Sequence, residues 1–251
     1  MLVRRDDEGA LAIGQLSHAW LSGQLARAWG NDEFPAPDPR EEIALGAEQH
    51  DIGWALFDLR PGLSAKSGLP RDFLELSVEE HLAIWSDAPD HLLSQSQHAA
   101  LVVSLHGCSL SELRARGNPA QLQALTGHID AERARQSRLR ASLGLTEQQT
   151  KRTQRQMWAW DGLSLALCSG WDPFTVRDVP ARDGLTAIEL CTSGDGAFTL
   201  DPWPFSQPRV EVRCEARRLL AAYEDEREMQ RALDASELVT LEFELLPAAS
   251  E

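Results

Sequence analysis

The stretch Ala44-Leu45-Gly46-Ala47-Glu48-Gln49-His50-Asp51-Ile52-Gly53 governs the interpretation of the whole chain. It is a small-residue helix that delivers a histidine and an aspartate, side by side, to its own C-terminal end. Neighbours in mid-helix point about 100° apart and seldom share a ligand. Where the chain relaxes toward Gly53, both side chains can turn toward one point, and an imidazole nitrogen beside a carboxylate oxygen suits borderline divalent metals.

On either side of this segment, the first two-thirds of the chain reads as helices. Gln15 to Trp29 places Leu16, Trp20, Leu21, Leu25 and Trp29 on a 3.6-residue period. Asp38-Pro39-Arg40-Glu41 reads as the start of the helix leading to His50, with Asp38 as its cap, and Gly53 as its stop. Ser77-Val78-Glu79-Glu80 is a capping box opening a short helix that contains His81. An apolar helix is expected from about Asp90 to His106, stopped by Gly107. Asn118-Pro119 opens a long one ending near Gly144, and Thr146-Glu147-Gln148-Gln149 caps the last, which carries Asp161 and stops near Gly170.

After Trp171 prolines, glycines and alternating residues take over. Thr186 to Cys191 and Ala197 to Leu200 flank the turn Ser193-Gly194-Asp195-Gly196 as a hairpin. Val210 to Cys214 and Leu238 to Leu245 read as further strands, with a charged helix around Glu224 to Leu233. The expectation is a mainly α protein: a helical metal-binding domain over 1–171 and a small α/β appendage over 172–251.

On this framework the remaining chemistry falls in order. His18 precedes the His50-Asp51 pair, His81 and His106 follow it, and Asp161 closes the series in Trp160-Asp161-Gly162-Leu163-Ser164. This pattern resembles the signature of the HD-domain superfamily of metal-dependent phosphohydrolases. The resemblance implies a helical bundle with His18, His50, Asp51 and Asp161 as the ligand core. As in the binuclear members, His81 and His106 would join as ligands to a second ion or as hydrogen-bond donors to phosphate. It implies one or two divalent transition metal ions (Fe, Mn, Co, Ni or Zn). The reaction it implies is hydrolysis of a nucleotide or other small phosphate ester by metal-activated water, with Asp51, His81 and His106 in catalytic roles. Two alternatives stay open: a diiron oxygenase of the same superfamily, and a non-catalytic metal-containing binding module. The whole chain is also similar to a bacterial domain-of-unknown-function family, number 3891. That similarity is carried by Met-Leu-Val-Arg at the N-terminus, His50-Asp51-Ile52-Gly53-Trp54, Ser104-Leu105-His106-Gly107, Trp160-Asp161-Gly162-Leu163-Ser164 and Pro202-Trp203-Pro204-Phe205. It implies no activity.

Composition bounds the partners. The 251 residues are 43% hydrophobic and 25% charged, with a formal net charge of −15, so the chain can bury a core and is a poor electrostatic match for nucleic acid. Within this acidic chain, Leu113 to Arg155 carries nine basic residues, including Arg114, Arg116, Lys151, Arg152 and Arg155, against Asp130, Glu132 and Glu147. The stretch reads either as a solvated helix face or as an attractor for a small anionic substrate. Lys151 and Arg155, in the helix of Asp161, are the substrate-binding candidates. Arg155 sits roughly 9 Å along the axis from Asp161. His91, His98 and His128 read as surface or helix-face histidines. Trp54, Trp158 and Trp160 read as core packing, and Asp58 either as an orienting carboxylate behind the ligands or as an ordinary one. The four separated cysteines read as reduced thiols. With no signal peptide and no apolar run near the roughly 20 residues a membrane helix needs, a cytoplasmic location is expected. The appendage is read as a cap over the pocket or as a surface for homo-oligomerisation.

Overall fold

A computed structural model describes residues 1–194 and 196–249. Its helices are α1 (Gln15–Ala28), α2 (Arg40–Glu48), α3 (Ala55–Leu59), α4 (Val78–Trp85), α5 (Gln97–Gly117), α6 (Leu122–Leu143), α7 (Glu147–Ser169) and α8 (Glu226–Ala235). The strands are β1 (Leu2–Asp6), β2 (Gly9–Ile13), β3 (Phe174–Ala181), β4 (Gly184–Gly194), β5 (Ala197–Asp201), β6 (Val210–Leu219) and β7 (Leu238–Pro247).

All seven strands form one sheet in the order β1-β2-β6-β7-β5-β4-β3. The β5–β7 pair is parallel and the others are antiparallel. The sheet curls into a half-barrel that accounts for 24% of the chain, beside 51% helix. This overturns the expectation of a mainly α bundle with a small C-terminal appendage. The sheet is a principal layer, and the chain's first thirteen residues supply two of its strands. Those two escaped sequence reading for a physical reason. β2 is buried along nearly its whole length, so it shows no period-2 alternation, and its Gly-Ala-Leu-Ala-Ile composition favours helix as much as strand. β3, at the opposite edge, is broken by a bulge between Val176 and Val179, where Asp178 takes φ 58°. β6, by contrast, alternates buried and exposed residues from Val210 to Ala216, the pattern expected of it. Asp195, in the expected hairpin turn, lies outside the described residues.

The helix expectations hold where capping chemistry carried them. Ser77 and Thr146 head complete capping boxes on α4 and α7, and Gly144 and Gly170 end α6 and α7 at φ 65° and 70°. They fail at Gly107 and at the start of α2. α5 begins at Gln97, capped by Ser96, and runs straight through Gly107. A Cβ there would lie 2.7 Å from the Trp85 ring, so Gly107 is a packing residue rather than a stop. α2 starts at Arg40, one position inside Pro39, and has no side-chain cap.

Two cores flank the middle of the molecule. The larger joins Leu21, Leu25 and Trp29 of α1 and Met157, Trp160, Leu163 and Leu167 of α7 to Ile188, Leu190, Val212, Phe243 and Leu245 of the sheet. The smaller lies among Trp54, Ile84, Trp85, Leu101 and Leu105. Each buried large side chain contributes on the order of 1.5–3 kcal/mol, so α1 and α7 are held firmly on the sheet. No helix among the described residues is long and apolar enough to cross a membrane.

Candidate metal centre

Between the two cores, side chains from four separate segments converge. α1 gives His18, the turn after α2 gives His50 and Asp51, α5 gives His106 and α7 gives Asp161. All five are 4% exposed or less, which for polar groups demands partners. Potential ligand atoms of His18, His50 and Asp51 lie within 4.8 Å of one another, and so do those of His50, His106 and Asp161. The two groups share His50. The ring centroids of His18 and His50 are 5.0 Å apart and those of His50 and His106 4.6 Å.

The turn explains how neighbours share a site. α2 ends at Glu48, and Gln49 and Asp51 leave helical geometry at φ −110° and −103° before a short 3-10 turn at Ile52–Trp54. Gly53 is not a helix stop. A Cβ at that position would lie 1.9 Å from the Ile84 carbonyl oxygen, so glycine lets the ligand turn press against the end of α4. Gly46, two helical turns earlier, allows a similar close approach to Val102 of α5.

Hydrogen bonds behind the cage fix two of its three imidazoles, those of His50 and His18. His50 Nδ1 donates to the Ala47 carbonyl oxygen at 2.8 Å, which directs Nε2 inward. That nitrogen has no hydrogen-bond partner, yet lies 3.6 Å from Asp51 Oδ2 and 3.4 Å from Asp161 Oδ1. Ser164 donates its hydroxyl to the Asp161 carbonyl at 2.8 Å, so its oxygen accepts from Ser22 at 2.9 Å and from His18 Nδ1 at 3.0 Å. His18 Nε2 then faces Asp51 Oδ2 at 2.7 Å. Both rings are oriented from outside by acceptors, the pattern by which proteins set the tautomer of metal-ligating histidines.

The charges are strongly coupled. Burial pulls the His50 imidazole down, but the charge of Asp51 and the Asp161 carboxylate outweigh it and raise His50 to about 9. Burial works against ionisation of Asp161 too, yet His50, His106 and His18 hold it at about 2, and Asp51 is likewise lowered by His50 and His18. His106 is pushed down to about 4 by burial and by His50. Two carboxylates favoured in their ionised form thus draw positive charge into the cage, whether as a proton on His50 or as a cation in its place.

His81 joins neither ligand group. Its Nε2 donates to Ser111 Oγ at 2.8 Å, since that hydroxyl gives its own hydrogen to the Gly107 carbonyl. Burial, then Arg114 and His128, drives His81 down to about 4. It lines a cavity of about 440 Å³ that opens onto His18, Asp51, His106 and Asp161 and is otherwise walled by Trp54, Phe73, Leu76, Trp85, Leu110 and Leu165. The basic residue on this cavity is Arg114. Lys151 lines a separate groove with Asn31, Glu33 and Arg182, and its Nζ pairs with Glu147 at 2.6 Å. Arg155 reaches both that groove and a second one, of about 590 Å³, that touches Asp161 and Trp158. A sequence signal for Arg114 existed: His106, Leu110, Leu113 and Arg114 follow a helical i, i+4, i+7, i+8 pattern, which lines one face of α5.

The other candidates are placed as follows. Asp58 accepts from the Leu16 backbone N–H at 3.2 Å and so supports the start of α1 rather than touching a cage histidine. His91 is exposed and His98 half-buried, whereas His128 is buried on a face of α6 with Nε2 unpartnered, and none of the three belongs to a ligand group. Trp158 packs edge-on to His106 at 5.7 Å, and Trp160 is fully buried in the larger core. The four cysteines are free thiols.

Comparison with curated proteins finds no match, and comparison with solved structures finds none either. The model of the family described as "Protein of unknown function (DUF3891)" matches residues 1–221, and the chain belongs to that family.

Proposed function

We propose that the chain is a metal-dependent phosphohydrolase whose reactive centre is the cage of His18, His50, Asp51, His106 and Asp161, a ligand set in the order that the resemblance to HD-domain enzymes implies. The observation that carries this reading is His50 Nε2: fully buried, without a hydrogen-bond partner, and set between two carboxylate oxygens. An unpaired buried nitrogen costs free energy unless something occupies the space it faces. Three imidazoles and two carboxylates fit iron, manganese, cobalt, nickel or zinc.

A divalent ion held there supplies Lewis acidity and lowers the pKa of water toward neutrality. The chain's own groups do the rest. Asp51 and Asp161 bring negative charge to the cage, and Ala47 and Ser164 hold the His50 and His18 imidazoles in register. His81, held by its Nε2 bond to Ser111, lines the cavity beside the cage as a neutral imidazole. Arg114 offers positive charge to an anionic ester, the role that sequence reading gave to Lys151 and Arg155. A nucleotide or other small phosphate ester is the substrate class that this charge pattern favours.

Elemental analysis and a phosphate-release assay test the reading together. The wild-type protein should retain about one or two transition ions per chain and release phosphate from a panel of esters with added manganese, cobalt or nickel. Asp51→Ala should lose both. A wild-type protein that takes up none of these ions overturns the proposal, and an iron-loaded protein that leaves every ester intact would point to oxygen chemistry instead.

A further inference from the structure

The cavity over the cage is walled differently from a pocket for a highly polar ligand. Apart from the cage residues, His81, Gln15, Arg114 and Gln121, its lining is tryptophan, phenylalanine and leucine. Two of its leucines are left in water: Leu74 is 79% exposed and Leu113 53% exposed. Large apolar side chains at a cavity mouth carry a solvation cost that a ligand covering them would relieve.

Arg114 sits in this apolar wall as an oriented donor. Its Nη2 donates to the Leu76 carbonyl at 2.7 Å and its Nε to Gln121 Oε1 at 2.9 Å. These two bonds fix the guanidinium plane, while among the described residues Nη1 has no partner and no carboxylate lies within ion-pair distance. A half-buried guanidinium with no carboxylate beside it keeps donor capacity and positive charge for an anion. Gln15, also on the cavity and 3% exposed, has its Oε1 unpartnered.

We infer that the substrate is an amphipathic anion: a phosphate monoester whose apolar group, of roughly four to eight carbons or an equivalent ring, lies against the Trp54, Trp85 and Leu110 wall and the mouth leucines while Arg114 holds its charge. The cavity volume suits a ligand of that size. This deepens the hydrolase proposal and rests on the cage being its reactive centre.

Binding of non-hydrolysable methyl-, butyl- and hexylphosphonate to the full chain, measured by calorimetry with and without added manganese, tests it apart from turnover. Affinity should tighten roughly two- to four-fold per added methylene. Leu74→Ser and Leu113→Asn, at exposed positions where folding is not at stake, should flatten that dependence. Arg114→Met should weaken hexylphosphonate at least about ten-fold without changing metal content, and Arg114→Lys should recover some of the loss. Equal affinity for the three phosphonates, or an Arg114→Met protein that binds hexylphosphonate like wild type, overturns the inference. Phosphate release from esters without any chain-length preference would leave the hydrolase reading standing and remove this one. Chain-length- and Arg114-dependent binding by a protein that holds no metal and releases no phosphate would do the reverse.

Discussion

Residue 53 can carry nothing larger than hydrogen. Its Cα faces the Ile84 carbonyl so closely that a methyl group would overlap the oxygen, and that contact is what seats the His50-Asp51 turn on α4. Gly53→Ala should therefore destabilise the protein by about 3 kcal/mol, through backbone displacement rather than any change in turn conformation. Urea unfolding would measure it, and a loss under about 0.5 kcal/mol would show that α4 can yield. Ser164 makes a different kind of prediction. Its hydroxyl is fully buried and links α7 to His18 Nδ1 and to Ser22. Removing the oxygen by Ser164→Ala should cost only about 1–2 kcal/mol of stability but lower metal affinity roughly 10- to 100-fold, because His18 loses the acceptor that orients it. Competition with a chromogenic chelator would read the affinity, and unchanged affinity would place Ser164 in a purely structural role.

Among the single elements, capping chemistry and charge are separable at α4. Glu80 closes the Ser77 capping box and also pairs with Arg71 through both carboxylate oxygens, at 2.7 and 2.8 Å. The Arg71 hydrogen bonds, helped by the Ser77 backbone, lower Glu80 to about 2 from its ordinary 4.5. A lowered acid stabilises the fold fully above its ordinary value and loses that contribution as pH falls toward the folded value. Glu80→Gln keeps the capping geometry and removes the charge. It should cost about 0.5–1 kcal/mol at pH 7, with the difference from wild type shrinking between pH 4.5 and 2. Thermal melts across that range would check it, and a pH-independent difference would assign the effect to packing. α5 shows what local reading can miss. Gly107 looks like a stop because glycine is a poor helix former, yet the surrounding packing against Trp85 overrides propensity and carries the helix on to Arg114, the residue that places positive charge on the cavity.

For the fold taken together, the consequence of the sheet is mechanical. α1 packs on β6 and α7 on β3, where Gly162, next to Asp161, faces Phe174 and Val176, so His18 and Asp161 are positioned from behind by the sheet. A chain truncated after Gly170 would leave Leu21, Leu25, Trp29, Leu163 and Leu167 without cover. It should be aggregated or molten, with no cooperative thermal transition and no retained metal. Size-exclusion chromatography and near-ultraviolet circular dichroism would decide, and a soluble, cooperatively melting fragment that still binds metal would show that the helices hold the cage alone.

Neighbouring residues encode chemistry of short range. Capping boxes at Ser77 and Thr146, glycine ends at Gly144 and Gly170, and the alternation of Val210 to Ala216 are all of this kind, so those elements were legible. The residues that meet in the cage were legible only through the order that the HD-domain resemblance implies, since histidines also lie on helices without joining it, as His98 and His128 do. Other outcomes depended on the assembled fold. That β2 is a strand rather than a helix rests on pairing with β1 on one side and, on the other, with partners more than two hundred residues away in β6. His81 stands apart from the two ligand groups, bonded to Ser111, and Arg114 rather than Lys151 lines the cavity. Both outcomes follow from how α4, α5 and α7 are rotated against one another, and long-range packing fixes that rotation where no local pattern records it.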